Sequence, residues 1–133
     1  MAELEIGLTG HKDLIVGRED LASFTGNIGA EVLSTHRVVL LMEQAAREAI
    51  KGRLPEGMMT VGTMIHMRHF AASPLGSKVR AEAVLRDIDG RRLVFHVVAQ
   101  DEIEKIAEGE NERFMVSEQK FLEKVRRKAK GEA

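Results

Sequence analysis

One glutamate stands inside a stretch that is otherwise mostly apolar. Glu43 lies in VVLLMEQAAREAI, and on a helical wheel it falls beside Val39, Ala46 and Ile50. A partly buried carboxyl group is a candidate general base, general acid or nucleophile. The alternative is a surface ion pair with Arg47 one turn later, worth about 0.2–0.5 kcal/mol. The residue types alone leave both interpretations open.

A hydroxyl precedes this carboxyl group at helical spacing. Thr35 lies eight residues before Glu43. In a helix this separation is ~12 Å along the axis and about 80° around it, so the two side chains can line one groove but cannot touch. Threonine is also a typical helix N-cap, and the spacing by itself favours that role for Thr35.

Two histidines form an H-x-x-H pair, His66 and His69. On a helix this spacing would indicate a metal site, but on a strand residues three apart point to opposite faces. We therefore predict no metal ligation by the pair. His69 stands near the end of its strand, before the turn at Pro74. A histidine there can face a cleft, and packing or surface exposure is the alternative.

A glycine interrupts the same strand pattern at Gly62, in Thr60-Val61-Gly62-Thr63. Glycine inside a strand often marks a bulge or the close approach of a ligand. A backbone N–H there is able to donate to an oxyanion. A glycine required only for packing is the other interpretation.

Two weaker signals concern substrate binding. Arg91 and Arg92 follow a hairpin and can meet an anion. Methionine adapts its shape easily, so an apolar pocket lined by methionines is one hypothesis and core packing is the other. The methionines in question are Met42, Met58, Met59 and Met64.

The elements that must position these residues follow from the periodicity of apolar residues. The run Leu14–Val16 predicts a first strand, and the glycine-rich residues 17–33 predict a loop. From Ser34 to near Lys51 apolar residues recur at helical spacing, which predicts one long helix ended by Gly52 and Pro55.

The second half of the chain is predicted to form four strands and a terminal helix. The strands are predicted over residues 58–70, 78–88, 91–100 and 105–117, and the helix over 118–130. Asp89-Gly90 is a strong hairpin signal. Sequential strands imply an antiparallel sheet, and the long apolar helix must bury itself against it. We predict an α+β fold with the sheet curled around the helix.

Length and composition limit the function. The 133 residues fit a single domain, 1–133, and zero cysteines exclude disulfides, thiol nucleophiles and cysteine-ligated metals. A net charge of −1 argues against a nucleic-acid binder. No window approaches the ~20 apolar residues of a membrane span, and the acidic start MAELEIG lacks a secretory h-region. We expect a cytoplasmic protein without nucleic-acid or membrane partners.

Taken together, these residues resemble one family, the hotdog-fold thioesterases, and within it the fluoroacetyl-CoA thioesterase-like branch. The resemblance runs from about Glu31 to Lys128, about three quarters of the chain. Its most specific segments are LMEQA, VGTMIHMRHFAASPLG, DGRRLVFHVVAQD and the segment Gln119–Arg127. It implies an antiparallel sheet of about five strands wrapped around one long central helix, with a further helix at the C-terminus.

The resemblance also implies roles for particular residues. Thr35, Glu43 and His69 fall at the branch's catalytic positions, and Gly62 falls where the family has a glycine close to the thioester. The implied reaction is hydrolysis of an acyl-CoA, with coenzyme A as part of the substrate and with no other cofactor or metal. The family forms its site between two subunits, so a homodimer, or a tetramer, is implied.

The resemblance leaves the acyl group and two further functions open. Where the fluoroacetyl-specific member carries aromatic residues before the helix, this chain has Gly26 and Gly29. Fluoroacetyl selectivity is therefore not predicted. A hotdog enoyl-CoA hydratase or dehydratase would also use an acid–base pair. A non-catalytic acyl-CoA-binding module on the same fold is the alternative from outside the enzymes.

Overall fold

The fold contains five strands and two α-helices, in a computed structural model that describes residues 3–132. Two short 3₁₀ turns, at 18–20 and 22–25, lie in the loop after the first strand. The elements in chain order are β1 (Thr9–Ile15), α1 (Thr35–Ala49), β2 (Met58–His69), β3 (Lys78–Asp89), β4 (Arg92–Gln100), β5 (Lys105–Ser117) and α2 (Glu118–Ala129).

All five strands form one antiparallel sheet in the order β1-β3-β4-β5-β2. The tight turn at Gly90 joins β3 and β4, as the Asp89-Gly90 signal predicts. The order places β2, which carries Gly62 and His69, at one edge of the sheet. One side of β2 is therefore free of strand partners within the described chain.

The helix α1 lies against the inner face of the sheet and forms the core with it. Its buried residues recur at helical spacing and face alternate residues of β3 and β4. The apolar stripe of α1 includes three alanines, which allow close packing. The fully buried or nearly buried residues of α1 are Val38, Leu41, Met42, Ala45, Ala46 and Ala49.

The approach of β1 to α1 explains a glycine that the sequence pattern left unassigned. A Cβ on Gly10 would collide with the backbone of Ala45 and Ala49. Helix and strand are therefore in direct backbone contact at this point. Only glycine fits there without moving one of them.

The predicted fold class and architecture are confirmed, with small differences in the elements. The first strand begins at Thr9, before the apolar run that indicated it. On α1, Leu41 is buried, whereas Leu40 is 41% exposed and points away from the sheet.

The terminal helix α2 packs loosely. None of its residues is buried, and the Ser117 hydroxyl caps it by accepting from the Lys120 N–H at 3.3 Å. Three basic residues in its last turn suit the negative end of the helix dipole. Within residues 3–132, neither helix combines the length and the apolar character that a membrane crossing requires.

The backbone contact at Gly10 generates a stability prediction. We expect Gly10→Ala to lower the free energy of unfolding by at least about 2 kcal/mol, since neither backbone can move without disturbing the core. Urea unfolding measures this. Gly17→Ala is the control, because a Cβ there meets only Asp20 Oδ2 at 3.4 Å in extended backbone. Equal stability of the two variants would contradict the close contact.

Candidate active site

A threonine and a histidine that are distant in sequence meet at one end of the sheet. The Oγ1 atom of Thr35 lies 2.9 Å from Nδ1 of His69. Thr35 is the first residue of α1 and His69 is the last of β2. The N-cap is Ser34, so the N-cap interpretation of Thr35 is wrong and its hydroxyl is committed to His69.

The surroundings of His69 disfavour the charged form of its imidazole. Burial lowers the pKa of His69 below its ordinary value of 6.5, and the backbone of Ala71 offsets part of that effect. The second ring nitrogen, Nε2, is shielded from solvent and has no protein partner among the described residues. A neutral ring has one donor and one acceptor nitrogen, so Nδ1 of His69 is able to accept a hydrogen bond from the Thr35 hydroxyl while Nε2–H remains a donor.

A cleft of about 320 Å³ opens beside this pair. Its walls come from the loop before α1 and from the segment after β2, and most of the side chains are small. Apart from His69, no side chain in the lining can carry a charge. The lining residues are Ala22, Asn27, Ala30, Val32, Leu33, Ser34, Thr35, His69, Phe70, Ala71 and Ala72.

The carboxylate of Glu43 forms an ion pair that joins α1 to β5. Its Oε2 lies 3.3 Å from Nη1 of Arg113, and its side chain is 31% exposed. Within residues 3–132, Arg47 is not among the ion-pair partners of Glu43, so the surface-pair interpretation is wrong. Glu43 is a half-buried carboxylate paired with a buried cation.

The glycine on β2 makes room for this carboxylate. The pairing of β2 with β5 shifts between Gly62 and Met64, which is the irregularity that a strand glycine indicates. A Cβ on Gly62 would collide with Oε2 of Glu43. The close approach at Gly62 is therefore made by a side chain of the protein itself.

Sequence reasoning missed Arg113. Its side chain is only 3% exposed, and burial lowers its pKa while the charge of Glu43 opposes that shift. It shares the inner face of β5 with Asn111 and Ala107, both buried. The alternation of these residues along β5 could have indicated that Arg113 faces inward. The many charged residues of β5 made that alternation hard to recognise.

The chain does not bring all the predicted catalytic residues together. Thr35 and Glu43 are ~12 Å apart along α1. Their strand partners, His69 and Gly62, are separated by ~23 Å along β2. One chain therefore holds two separate half-sites along its edge strand, one at its end and one near its middle: Thr35 with His69, and Glu43 with Gly62 and Arg113.

Two residues expected to bind substrate lie elsewhere. Met42 is completely buried in the core, so it packs there and does not contact an acyl group as expected. Arg91 is exposed at the β3–β4 turn and does not line the cleft beside His69. His66 is exposed while His69 is half-buried, and no group of potential metal ligands assembles among the described residues.

Comparison with known proteins agrees with this architecture. Residues 16–119 match the family model described as fluoroacetyl-CoA-specific thioesterase. The fluoroacetyl-CoA thioesterase of Streptantibioticus cattleyicolor is 41% identical over 98 residues, which cover 74% of this chain and 70% of that protein.

Solved structures of similar fold include members of the same family. A mutant of the fluoroacetyl-CoA-specific thioesterase FlK in complex with fluoroacetate and CoA is 31% identical, with a TM-score of 0.83, covering 89% of this chain and 99% of that one. A hot-dog-like protein from Thermanaerovibrio acidaminovorans is 26% identical, with a TM-score of 0.86, covering 94% and 93%.

The lowered pKa of His69 generates a prediction about pH and stability. The unfolded chain binds a proton near pH 6.5, whereas the folded chain does so only at lower pH. Folding stability should therefore fall as the pH falls below about 6.5. We expect the stability of the wild type relative to His69→Gln to be greatest above pH 6.5 and to decrease below it, measured by urea unfolding across pH 5–8. A difference that is constant with pH would contradict a shielded neutral ring.

Proposed function

Because the chain belongs to the fluoroacetyl-CoA-specific thioesterase family, we propose that it hydrolyses an acyl-CoA thioester to the free acid and CoA. The observation that carries the proposal is the Thr35–His69 pair beside an uncharged cleft. The carboxylate of Glu43, at the third expected position, is half-exposed and held by a buried cation. These three residues are the proposed catalytic residues.

The proposed reaction uses one water molecule. Glu43 either removes a proton from water, whose oxygen then attacks the thioester carbon, or attacks that carbon directly to give an anhydride that water hydrolyses. The carbon–sulfur bond breaks, Nε2–H of His69 donates a hydrogen bond to the departing thiolate, and the thiolate takes the proton that the consumed water releases. Thr35 holds the imidazole in the required orientation through its 2.9 Å contact. General acid–base catalysis of this kind contributes about 10²–10⁴-fold.

Backbone N–H groups are the proposed donors to the thioester oxygen. The bulge at Gly62 disturbs the regular pairing of β2 beside Glu43. At a sheet edge, alternate residues direct their N–H groups away from the sheet. An N–H near Gly62 can therefore donate to the oxygen as it gains charge. Loss of one such donor typically costs about 10²–10³-fold in kcat.

We propose that two chains complete the site. Each chain carries the two half-sites about seven residues apart on β2, and the open side of β2 is available for pairing with a second chain. Met64 on β2 and Phe70 just after it are 39% and 56% exposed, which suits an interface better than solvent. A homodimer joined along β2 would bury both.

A twofold axis along this edge would assemble two composite sites. Gly62 and His69 are equidistant from the point between Ile65 and His66. Antiparallel pairing of two β2 strands about that point sets Gly62 of one chain opposite His69 of the other. Glu43 of one chain would then face Nε2 of His69 in the other. This arrangement supplies the partner that Nε2 lacks within a single chain.

The cleft favours an uncharged acyl group. Its lining is small and neutral beside Thr35, so a carboxylated or cationic acyl group would find no counter-ion there. Gly26 and Gly29 are exposed in the loop that borders the cleft and add no bulk to it. The proposal therefore covers neutral acyl-CoAs as a class and does not include selectivity for the fluoroacetyl group. Coenzyme A enters as part of the substrate.

The role of Glu43 is tested by thiol release from short, branched, aryl and fluoroacetyl CoA esters. We expect Glu43→Gln to reduce kcat at least ~10²-fold, since the amide can neither accept the proton nor attack. Glu48→Gln is the matched control: Glu48 is an exposed carboxylate on the same helix, so its removal should leave kcat within about twofold.

Two outcomes would contradict this proposal. Full activity of Glu43→Gln would remove Glu43 from the chemistry. If a folded wild type binds these esters but hydrolyses none of them, the chain would be an acyl-CoA-binding module.

The shared site is tested by mixing two inactive variants. Glu43→Gln and Thr35→Val are unfolded together in equal amounts and refolded, so that about half of the dimers contain one of each. Each mixed dimer has one intact site, and we expect recovery to about a quarter of refolded wild-type activity.

A second mixture is the control for this experiment. Thr35→Val and His69→Gln damage the same half-site, in which the two residues touch within one chain. Their mixture should recover nothing. Absence of recovery in the first mixture, with wild type refolding normally, would contradict a site shared between subunits.

A further inference from the structure

We propose that Arg113 is a positioning residue for the reaction: it binds Oε2 of Glu43 and so reserves the other oxygen, Oε1, for the substrate. The inference rests on the proposed function of Glu43. It adds an assignment within that site, namely which oxygen acts and what holds the carboxylate in place. The geometry of three neighbouring residues supports it.

The guanidinium of Arg113 is itself held rigidly. Nε donates to Oγ1 of Thr60 at 3.1 Å, and Nη2 donates to the backbone oxygen of Thr60 at 3.3 Å. The side chain is 3% exposed, so water does not compete for these contacts. Thr60 lies on β2, the neighbour of β5. With those nitrogens bound to a strand, Nη1 is oriented towards α1.

The carboxylate of Glu43 meets this cation with one oxygen only. Oε2 accepts from Nη1 at 3.3 Å. Oε1 has no hydrogen bond within the described part of the chain, and it is not among the buried atoms that lack one. Because it reaches solvent, Oε1 is the oxygen that can meet a water molecule or a thioester carbon.

Gly62 belongs to the same arrangement. A Cβ at this position would collide with Oε2 of Glu43 and would lie 3.1 Å from Nη1 of Arg113. The missing side chain leaves the space in which the ion pair forms. The carboxylate is thereby confined between the bulge of β2 and the guanidinium, with Oε1 as its accessible atom.

A fixed carboxylate matters because catalysis depends on position. A displacement of about 1 Å can cost on the order of 10²-fold in rate. A bidentate ion pair would occupy both oxygens and hinder the reaction, whereas a pair through one oxygen positions the group and leaves it reactive. Arg47 is the other nearby cation, and within the described chain it forms no ion pair with Glu43.

The first test compares kcat and KM for the best CoA ester in Arg113→Met, Arg113→Lys and Arg47→Met. Each variant is assayed well below its own unfolding temperature. We expect Arg113→Met to lower kcat about 30- to 100-fold with KM changed less than threefold. Arg113→Lys should recover part of kcat, and Arg47→Met should remain within twofold of the wild type.

A further variant keeps the proposal testable if Arg113→Met does not fold. Thr60→Val removes the hydroxyl that holds Nε and retains the cation. We expect it to lower kcat about three- to tenfold with KM unchanged. Wild-type kcat in both Thr60→Val and Arg113→Lys would overturn the positioning role.

The second test measures the contact without any activity. Melting temperatures are compared for Arg113→Met, Glu43→Gln and the double variant. If the two groups interact, the double variant should lose markedly less than the sum of the single losses. Strictly additive losses would overturn the ion pair.

The two proposals fail in different ways. Full activity of Glu43→Gln would overturn both the function and the role of Arg113. If Glu43→Gln is inactive while Arg113→Met keeps wild-type kcat, the function stands and the inference about Arg113 is overturned. A third outcome would also overturn the inference about Arg113. If kcat falls in Arg113→Met and Arg113→Lys in the same proportion to the loss of melting temperature, the role of Arg113 is structural only.

Discussion

The burial of α1 against the sheet is the constraint on which the rest of the structure depends. The apolar stripe of the helix is sealed by β3 and β4, and at Gly10 the backbone of β1 touches the helix directly. Close packing of this kind leaves little freedom to rotate or slide. It therefore fixes Thr35 at the entrance of a cleft and Glu43 two turns further along, on the flank of the helix that faces β2 and β5.

The order of the strands in the sheet explains why the site is divided into two half-sites. Because β2 is an edge strand, His69 and Gly62 lie at two separate points on a surface that is open to a second chain. Each meets a different point on α1, one through Thr35 and the other through Glu43. The same edge that separates the two half-sites in one chain offers the symmetry by which two chains can join them.

Stability alone does not explain why the chain contains the Glu43–Arg113 ion pair. Removing a guanidinium from water carries a large cost, and a buried ion pair is often no better for stability than apolar residues of similar volume. The chain buries the guanidinium of Arg113 beside its apolar core, pairs it with the half-buried Glu43, and leaves out a side chain at Gly62 to accommodate the pair. Such departures from efficient packing are expected where a site must hold a charged group in one place.

The elements, the fold class and the candidacy of Glu43 for catalysis could be predicted from the sequence, because periodicity, turns and a carboxylate among apolar residues are local patterns. The tertiary structure alone decided the partners: Thr35 reaches His69 across 34 positions, and Glu43 reaches Arg113 across 70. Local spacing could therefore name neither partner: it offered an N-cap role for Thr35 and Arg47 as the nearest cation for Glu43. Which strand lies beside a helix depends on how the whole sheet closes over its core, and no local pattern contains that information.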